Sequence, residues 1–587
     1  MANTLLDLFE KNHQLLEWHD KVTLLSRQLV MGFSGSSKAV VMASALSEQV
    51  PKILIVTSTQ NEAEQLTGDL SAILGEDKVY SFFADDVVAA EFIFASPEKT
   101  HSRLESLNFL MDKESSGILV TSLVGTKLHL PNPEVYKDSR IDLTLGEEHD
   151  LEALSKHLTH IGYQRVEQVL SPGEFSRRGD ILDIYELTAE LPYRLEFFGD
   201  EIDGIRQFDS DSQKSLDNLE HIIVSPADDI ILTREDYQRA EKALESAVSK
   251  AEGPHKAYLE EVLSVTIDGY RHKDLRKFLS LFYDKAYTLF DYLPKGTSVF
   301  IDDFQKIVDR HGRLELEVAN LLTEDLHQGK SLSHLNYLVD SFKTLRNYQP
   351  ASFFSNFHKG LGNLKFDKLY QFTQYPMQEF FNQFPLLVDE IHRYTKNKAT
   401  VILQVGSEKQ LKSLKETLEE YDLDLPLSSF GDLIPHKPHL VLGNLSNGFY
   451  FADEKLVLVT EREIFHKKVK RRARASHVSN AERLKDYNEL EKGDYVVHQT
   501  HGIGQFKGIE TIEIKGVHRD YLTIQYQDAA TISLPVEQIE SLSKYVSADG
   551  KEPKINKLND GRFQKTKQKV SKQVEDGVDP RELVERR

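Results

Sequence analysis

The segment GFSGSSKA, which starts at Gly32, comes close to a phosphate-binding loop. Such a loop reads G-x-x-x-x-G-K-[ST]; its glycines let the backbone approach the phosphates, and its hydroxyl binds Mg²⁺. Gly32 and Lys38 stand where the motif requires them, but Ser37 replaces the second glycine and Ala39 replaces the hydroxyl residue. A Cβ at position 37 crowds the phosphates, and Ala39 has no ligand for the metal. The segment, which also contains Gly35, is either a degenerate nucleotide loop or a chance turn before a helix.

An acidic segment, IDDF, is a second candidate for the same chemistry. Asp302 has the carboxylate that could bind the Mg²⁺ of a nucleotide, but a helicase-type pattern places glutamate next. Asp303 is one methylene shorter than that glutamate, which suits it poorly to positioning an attacking water. A buried strand with a polar end explains the segment equally well. The losses at Ser37, Ala39 and Asp303 predict a chain that has no catalytic residue and neither hydrolyses ATP nor binds it tightly.

The elements around these residues are predicted from apolar runs and glycine turns. A strand, the glycine loop and a helix follow one another in the order that a phosphate loop requires, which favours the degenerate-loop interpretation. Turns in the β-rich part are predicted at Gly179, Gly199 and Gly204. In chain order the pattern is α/β to about residue 125, β-rich at 140–225, helical at 231–293, α/β again after 349, a basic helix at 465–487 and short strands at 490–547.

Composition limits the classes of function. The 587-residue chain has a net charge of −21, which argues against a protein coated in DNA. Two basic stretches, 466–475 and 551–572, are either solvated linkers or weak, salt-sensitive DNA contacts without sequence preference. The absence of cysteine excludes disulfides and cysteine-bound zinc, and we predict no metal site. The amphipathic N-terminus is not a signal peptide, and no apolar run could span a membrane, so a cytoplasmic protein is expected.

Two long segments carry a family resemblance. SRRGDILDIYELTAELPYRLEFFGDEIDGIRQFD (176–209) resembles the second domain of the excision-repair protein UvrB. GDYVVHQTHGIGQFKGI and the strands that follow it, to Ser543, resemble the RNA-polymerase-binding module of CarD-type regulators. Both modules in one chain are the arrangement of the bacterial transcription-repair coupling factor (Mfd) family, and the resemblance extends from residue 1 to about 575.

The resemblance implies an α/β multidomain fold. Its parts are a degenerate RecA-like, UvrB-like module, a further small α/β domain, a linker helix and a small Tudor- or SH3-like β-barrel. The implied boundaries are 1–138 for domain 1a, 139–228 for the UvrA-binding domain 2, 229–348 for domain 1b, 349–464 for the α/β domain of unknown role, 465–488 for the basic linker helix, 489–547 for the polymerase-interacting domain and 548–587 for a linker to motor domains beyond this segment. Residues 574–587 depart from the family pattern and stay unassigned.

The resemblance also implies partners and site residues. Arg165 and Arg178 fall on positions that pair with acidic groups of UvrA, and Phe175 and Leu182 are their expected apolar companions. Arg178 could instead be only a turn residue before Gly179.

The polymerase-interacting domain is expected to bind the RNA polymerase β subunit by adding an edge strand. The expected strand is DYLTIQYQD, with Tyr521, Leu522 and Ile524 at the contact. Alternation along this strand also permits Leu522 to be core.

The implied function is that of a scaffold that ties a stalled polymerase to UvrA. It needs no cofactor in this segment; ATP and Mg²⁺ belong to the family's motor domains, which release the polymerase by translocating on DNA. No tyrosine lies between Tyr80 and Tyr136, so the aromatic hairpin with which UvrB verifies lesions is not expected here. The alternatives are an active UvrB-like helicase and a CarD-like transcription regulator.

Overall fold

The computed structural model describes residues 5–6, 12–93, 97–210, 212–355, 361, 364–466, 493, 495–498, 502–514, 517–527, 531–535 and 542–544. The chain forms two compact units, Met1–Ser476 and His477–Arg587. The predicted basic helix beyond His466 and the segment 548–587 lie outside the described residues. Within the described ranges, no helix is long and apolar enough to cross a membrane. In the same ranges, no group of three or more His, Asp and Glu could hold a metal ion.

The described elements have the following bounds. The helices are α1 His13–Lys21, α2 Ser36–Ser44, α3 Gln60–Leu74, α4 Val88–Ile93, α5 Pro97–Met111, α6 Pro133–Asp138, α7 Leu151–His160, α8 Arg234–Val248, α9 Gly253–Ile267, α10 Leu275–Phe282, α11 Leu289–Tyr292, α12 Phe304–His327, α13 Phe342–Asn347, α14 Phe384–Lys396, α15 Glu408–Glu419 and α16 Glu461–Phe465. The strands of the first unit are β1 Arg27–Met31, β2 Lys52–Thr57, β3 Val79–Phe82, β4 Gly117–Ser122, β5 Ile141–Thr144, β6 Gln164–Arg165, β7 Glu174–Arg178, β8 Ile181–Ile184, β9 Tyr193–Phe198, β10 Glu201–Phe208, β11 Ser215–Leu219, β12 His221–Val224, β13 Ser298–Asp302, β14 Ala351–Ser355, β15 Lys368–Gln371, β16 Gln374–Pro376, β17 Thr400–Val405, β18 Leu427–Ser428, β19 Pro438–Leu442, β20 Phe449–Phe451 and β21 Leu456–Val459. Those of the second unit are β22 Tyr495–His498, β23 Gly502–Ile514, β24 Val517–Gln525, β25 Thr531–Pro535 and β26 Leu542–Lys544.

The first module is a parallel seven-stranded sheet with its surrounding helices. Its strand order is β15-β1-β14-β13-β2-β4-β3. β2 and β4 are buried along their whole length, as expected for parallel strands covered on both faces. The predicted boundary at residue 348 cuts through this sheet, because β14 and β15 follow it in sequence yet pair with β1 on either side.

The β-rich module contains a six-stranded sheet in the order β11-β10-β9-β8-β7-β6 and the two-stranded pair β12-β5. Gly179 and Gly199 have φ of +63° and +67° between β7 and β8 and between β9 and β10, so both predicted turns are confirmed. The turn predicted at Gly204 is wrong. Gly204 lies inside β10, where the register against β9 shifts, so the glycine marks a β-bulge.

The third module, residues 374–466, has a mixed sheet in the order β16-β20-β21-β17-β19-β18. One face of this sheet, including Val401 and Val457, packs with apolar residues of α14 and α15. The opposite face, including Ile402 and Val441, belongs to one hydrophobic core with Trp18 and other residues of the first module. The third module therefore shares a core with the first.

The second unit contains a five-stranded antiparallel sheet in the order β25-β24-β23-β22-β26. Short strands were predicted here; four of the five described strands have 3 to 9 residues, whereas β23 has 13. The predicted edge position of β24 is wrong, because Tyr521–Gln525 pair with β23 on one side and with β25 on the other. Their backbone groups already serve two neighbours, so this part of β24 cannot receive a further strand.

Candidate functional site

The candidate nucleotide loop lies between β1 and α2, in the strand–loop–helix arrangement predicted from the sequence. Gly32 has φ of +98° and Gly35, the N-cap of α2, has φ of +58°, in the region that favours glycine. The Ser37 hydroxyl donates to the carbonyl of Ser34 at 2.7 Å and accepts from its amide at 3.0 Å. The serine that replaces the motif's second glycine therefore closes the loop on itself.

The structure brings together the two predicted charges, Lys38 of the loop and Asp302 at the end of β13. Lys38 Nζ donates to the two carboxylate oxygens of Asp302 at 2.6 and 2.8 Å. Their side chains are only 18% and 12% exposed, so the lysine's charge is matched within the protein. Asp303 has a left-handed backbone and is the N-cap of α12, with Lys306 Nζ 3.7 Å from its carboxylate. Ala39 is fully buried and supplies no oxygen for a metal.

Two segments from the far end of the first unit cover this loop. A Cβ on Gly32 would lie 2.1 Å from the carbonyl oxygen of Phe372, and one on Gly35 would lie 3.0 Å from Nδ2 of Asn447. The Ser34 hydroxyl donates to Oε1 of Gln374 at 3.1 Å. The glycines therefore admit a close approach, as they do in a phosphate loop, but the group that approaches is the protein's own chain.

A hydrogen-bonded cluster joins the loop to the third module. The hydroxyls of Ser36 and Ser446 each donate to Oδ2 of Asp69 at 2.8 Å, and the Ser446 amide donates to Oδ1 at 2.9 Å. The Asn447 amide donates to the Ser36 hydroxyl at 2.9 Å. Arg462 Nη1 donates to Oδ1 of Asn447 at 2.7 Å. Only Asn447 therefore separates this arginine of the third module from the loop. No local motif marks these residues, and sequence analysis missed all of them except the loop itself.

The predicted UvrA-binding arginines lie in the β-rich module. Arg165 is exposed on the edge strand β6 and stands opposite Phe175 of β7. The side chain of Arg178 is 54% exposed, and its Nη2 donates to Asp183 at 3.0 Å. Arg194 donates to the same carboxylate at 2.7 and 2.9 Å, and this hydrogen bonding raises the pKa of Arg194. Asp183 thus holds Arg178 at the start of the β7–β8 turn.

The predicted apolar companions of these arginines are wrong. Phe175 and Leu182 are fully buried in the core of the module, so neither side chain is available to a partner. The exposed apolar residues at this end of the sheet are Ile181, which pairs with Arg178 across the turn, and Phe198, which is 81% exposed. Sequence analysis missed both, although each stands next to a predicted glycine turn.

The predicted polymerase-binding residues lie on β24. Leu522 and Ile524 are fully buried, which is the core alternative that alternation had permitted. A Cβ on Gly504 of β23 would lie 2.6 Å from Ile524 and 3.0 Å from the Tyr526 ring, so this covered face is tightly packed. Neither Leu522 nor Ile524 can offer its side chain to a partner. The side chain of Tyr521 lies outside the described residues.

Comparison with known proteins matches three parts of the chain to family models. Residues 141–229 match the UvrB interaction domain, 394–464 match the MFD D3 domain, and 490–546 match the CarD-like/TRCF RID domain.

Curated relatives match the chain over nearly all of its length. A transcription-repair-coupling factor of Bacillus subtilis (strain 168) is 34% identical over 567 residues, which cover 94% of this chain and 48% of that protein. Transcription-repair-coupling factors of Staphylococcus haemolyticus (strain JCSC1435) and Staphylococcus aureus (strain MRSA252) are 31% and 30% identical, covering 94% and 93% of this chain and 48% of each relative. The chain thus spans about half the length of the curated relatives that it matches.

Proposed function

We infer that this chain, which belongs to the transcription-repair-coupling factor family, acts as a scaffold. It spans about half the length of its curated relatives. It binds RNA polymerase stalled at DNA damage and recruits UvrA of nucleotide excision repair in the cytoplasm. The observation that carries this proposal is the presence of a UvrB-type interaction domain and a CarD-like domain in one chain. ATP and Mg²⁺ serve DNA translocation by parts of the protein other than these residues.

The UvrA-binding surface lies on the β-rich module, at the end of its sheet that carries the Gly179 and Gly199 turns. Arg178, Ile181 and Phe198 are exposed there. Arg165 lies away from this end, on the edge strand β6, where it pairs with Phe175 of β7, about 10 Å before Arg178 along the strand direction. Arginines beside exposed apolar side chains suit an acidic partner surface with an apolar centre.

The polymerase-binding surface is the edge of the second unit's sheet that β25 forms. An incoming strand needs unpaired backbone groups, and the edge strands of this sheet are β25 and β26. β25 pairs with β24 directly beside Leu522, the predicted centre of the contact. A photo-crosslinking amino acid at the exposed Thr531 of β25 is expected to label the polymerase β subunit, and one at Lys507 of the interior strand β23 is not. Labelling from Lys507 but not from Thr531 would show that β25 is not part of the interface.

The direct test of the scaffold is assembly. The chain, UvrA and a stalled transcription complex are mixed, and the species that co-migrate in size-exclusion chromatography are identified. We expect one complex that contains all three, and we expect the Arg165→Glu, Arg178→Glu variant to keep the polymerase and lose UvrA. A folded chain that binds neither partner would contradict the proposal.

A further inference from the structure

We propose that the third module covers the glycine loop in place of a nucleotide. The cleft in which a nucleotide would bind is then a closed interface between the first and third modules, which we call the joint. This inference concerns the chain alone and does not depend on UvrA or RNA polymerase. It assigns a role to residues 374–466, for which the sequence offers no chemistry.

The first support is apolar. The first module and one face of the third module's sheet share a single core, in which Val30, Phe33 and Val40 of the first module and Val441 and Leu458 of the third are buried. Phe33, the second residue of the loop segment, packs with its ring centroid 5.6 Å from that of Phe451 of the third module and 4.7 Å from that of Phe372, which follows β15 and precedes that module. The loop is thus part of the interface between the modules and not its rim.

The second support is polar and lies at the start of α2. Asp69 accepts three hydrogen bonds, one from Ser36 of the loop and two from Ser446 of the third module. Asp69 is 2% exposed and Ser36 is fully buried. Removing one partner from a buried cluster leaves the others unsatisfied, so the two hydrogen bonds from Ser446 to Asp69 oppose separation of the modules.

The third support is the state of the loop's own binding groups. Lys38, which would contact phosphates, donates to both oxygens of Asp302. Ser37 bonds to Ser34, the space beside Gly32 is filled by Phe372, which follows β15, and the space beside Gly35 is filled by Asn447 of the third module. A nucleotide would have to displace a segment that is tethered to the same chain and is therefore present at high effective concentration.

Opening of the joint can be measured by thiol labelling, because the chain has no cysteine of its own. Val441→Cys places a thiol on the sheet face that packs against the first module, and Val457→Cys places one on the opposite face of the same sheet, against α14 and α15. Both valines are fully buried, so each thiol reacts only when its own face opens.

Asp69→Ala is then introduced beside each reporter. Since a net hydrogen bond contributes about 1 kcal/mol, loss of the two bonds from Ser446, which cross the joint, is expected to accelerate labelling of the Val441→Cys reporter about 30-fold, and Ser446→Ala, which removes one of them, about 5-fold. Labelling of the Val457→Cys reporter should change by less than about 3-fold, because that face opens only when the third module itself unfolds.

Several results would overturn the proposal. Equal acceleration at both reporters would show that Asp69 stabilises the third module itself and not the joint. Unchanged labelling at both reporters would show that Asp69 does not stabilise the joint. In the chain that carries only Val441→Cys, rapid labelling would show that the joint is open. Millimolar ATP with Mg²⁺ is expected to leave this labelling unchanged, and acceleration by ATP would show that a nucleotide still opens the cleft.

Discussion

The glycine loop at Gly32 and the glycine turns of the β-rich module carry the most recognisable motifs of this chain, and their surroundings are opposite. A Cβ on Gly32 would meet the backbone of Phe372, whereas one on Gly179 would meet nothing within 4 Å. Around the loop the charges are matched internally, Lys38 by Asp302, while the turn region exposes Arg178 and Phe198. The motif that resembles a ligand-binding loop is interior, and the motif that encodes a tight turn lies at the surface.

This contrast teaches that resemblance to a motif does not decide whether the motif is accessible. Gly32 and Gly35 have the positive φ and the close approach of neighbouring atoms that favour glycine at these positions. The position that carries the metal-binding hydroxyl in a phosphate loop is Ala39, which is buried and has no side-chain oxygen. In the proposed scaffold, partner binding therefore depends on the exposed surfaces and not on the loop.

The largest effect is expected from reversing the exposed charges of the β-rich module. Arg165→Glu with Arg178→Glu should weaken UvrA binding at least about 30-fold, because truncating a charge-paired guanidinium at an interface commonly costs about 2 kcal/mol. Calorimetric titration with UvrA measures the change. The control is Arg234→Glu with Arg346→Glu, which makes the same charge change at two exposed positions of the first module. Equal loss in both variants would show a general charge effect.

The next effect is on stability and compares the two glycines directly. Gly32→Ala should lower the free energy of unfolding of the first module by about 3 kcal/mol, because positive φ is strained for alanine and the Cβ clashes with Phe372. Gly179→Ala should cost about 1 kcal/mol, since only the backbone strain applies there. The chain's single tryptophan, Trp18, is buried in the core beside the loop and reports unfolding of this module by fluorescence in urea.

The effect of Gly179→Ala on stability is followed by circular dichroism, because the β-rich module contains no tryptophan. Equal costs at the two glycines would mean that the contact of Gly32 with Phe372 does not constrain the loop.

A smaller effect is expected from the exposed aromatic ring at the Gly199 turn. Phe198→Ala should weaken UvrA binding about 10-fold and leave stability nearly unchanged, because the side chain is 81% exposed in the free chain and is buried only by a partner. Phe381→Ala removes a ring that is 52% exposed in the third module and serves as the control. If the two variants bind UvrA equally well, Phe198 lies outside the contact.

The secondary structure could be largely predicted from the sequence, whereas the accessibility of its side chains could not. Continuous apolar runs identified β2 and β4, and alternation identified the strands on either side of Gly179. Alternation gives two faces but does not say which one is covered, so it could not test Phe175 and Leu182, which the resemblance had implied as partner contacts, and Ile181 and Phe198 were missed.

The joint itself could not be predicted from local sequence. Asp69 and Ser446 are 377 residues apart and carry no motif of their own. β14 and β15 likewise follow a predicted domain boundary and return to the first sheet, because a parallel strand can be added after a crossover of a dozen residues or of several hundred. Such contacts become visible only when distant segments have been placed together.

A modest effect on pH dependence is expected in the first module. His129 is buried, its Nε2 lies 2.8 Å from the carbonyl oxygen of Asn336, and its buried Nδ1 has no hydrogen-bond partner among the described residues. Burial lowers the pKa of His129 below its ordinary value of 6.5. The folded chain therefore binds a proton at this imidazole less tightly than the unfolded chain does. Stability should therefore fall as pH drops below about 6.5, by up to about 1.4 kcal/mol per pH unit for this group.

His129→Gln removes the titratable imidazole but keeps an amide N–H that can donate to the carbonyl of Asn336. Urea unfolding followed by Trp18 fluorescence at pH 7, 6 and 5 should show a shallower loss of stability in the variant than in the parent. Parallel pH profiles would show that His129 does not contribute to the dependence.

The most direct measurement of the central claim is ATP turnover by the purified chain, with and without double-stranded DNA. We predict no turnover above a protein-free blank in either condition and no tight ATP binding, because the loop lacks its hydroxyl ligand and is covered by Phe372 and Asn447. Ser37→Gly with Ala39→Thr should not restore activity, since the covering segments remain. Turnover that DNA stimulates and that Lys38→Ala abolishes would contradict the account and identify the chain as an active helicase.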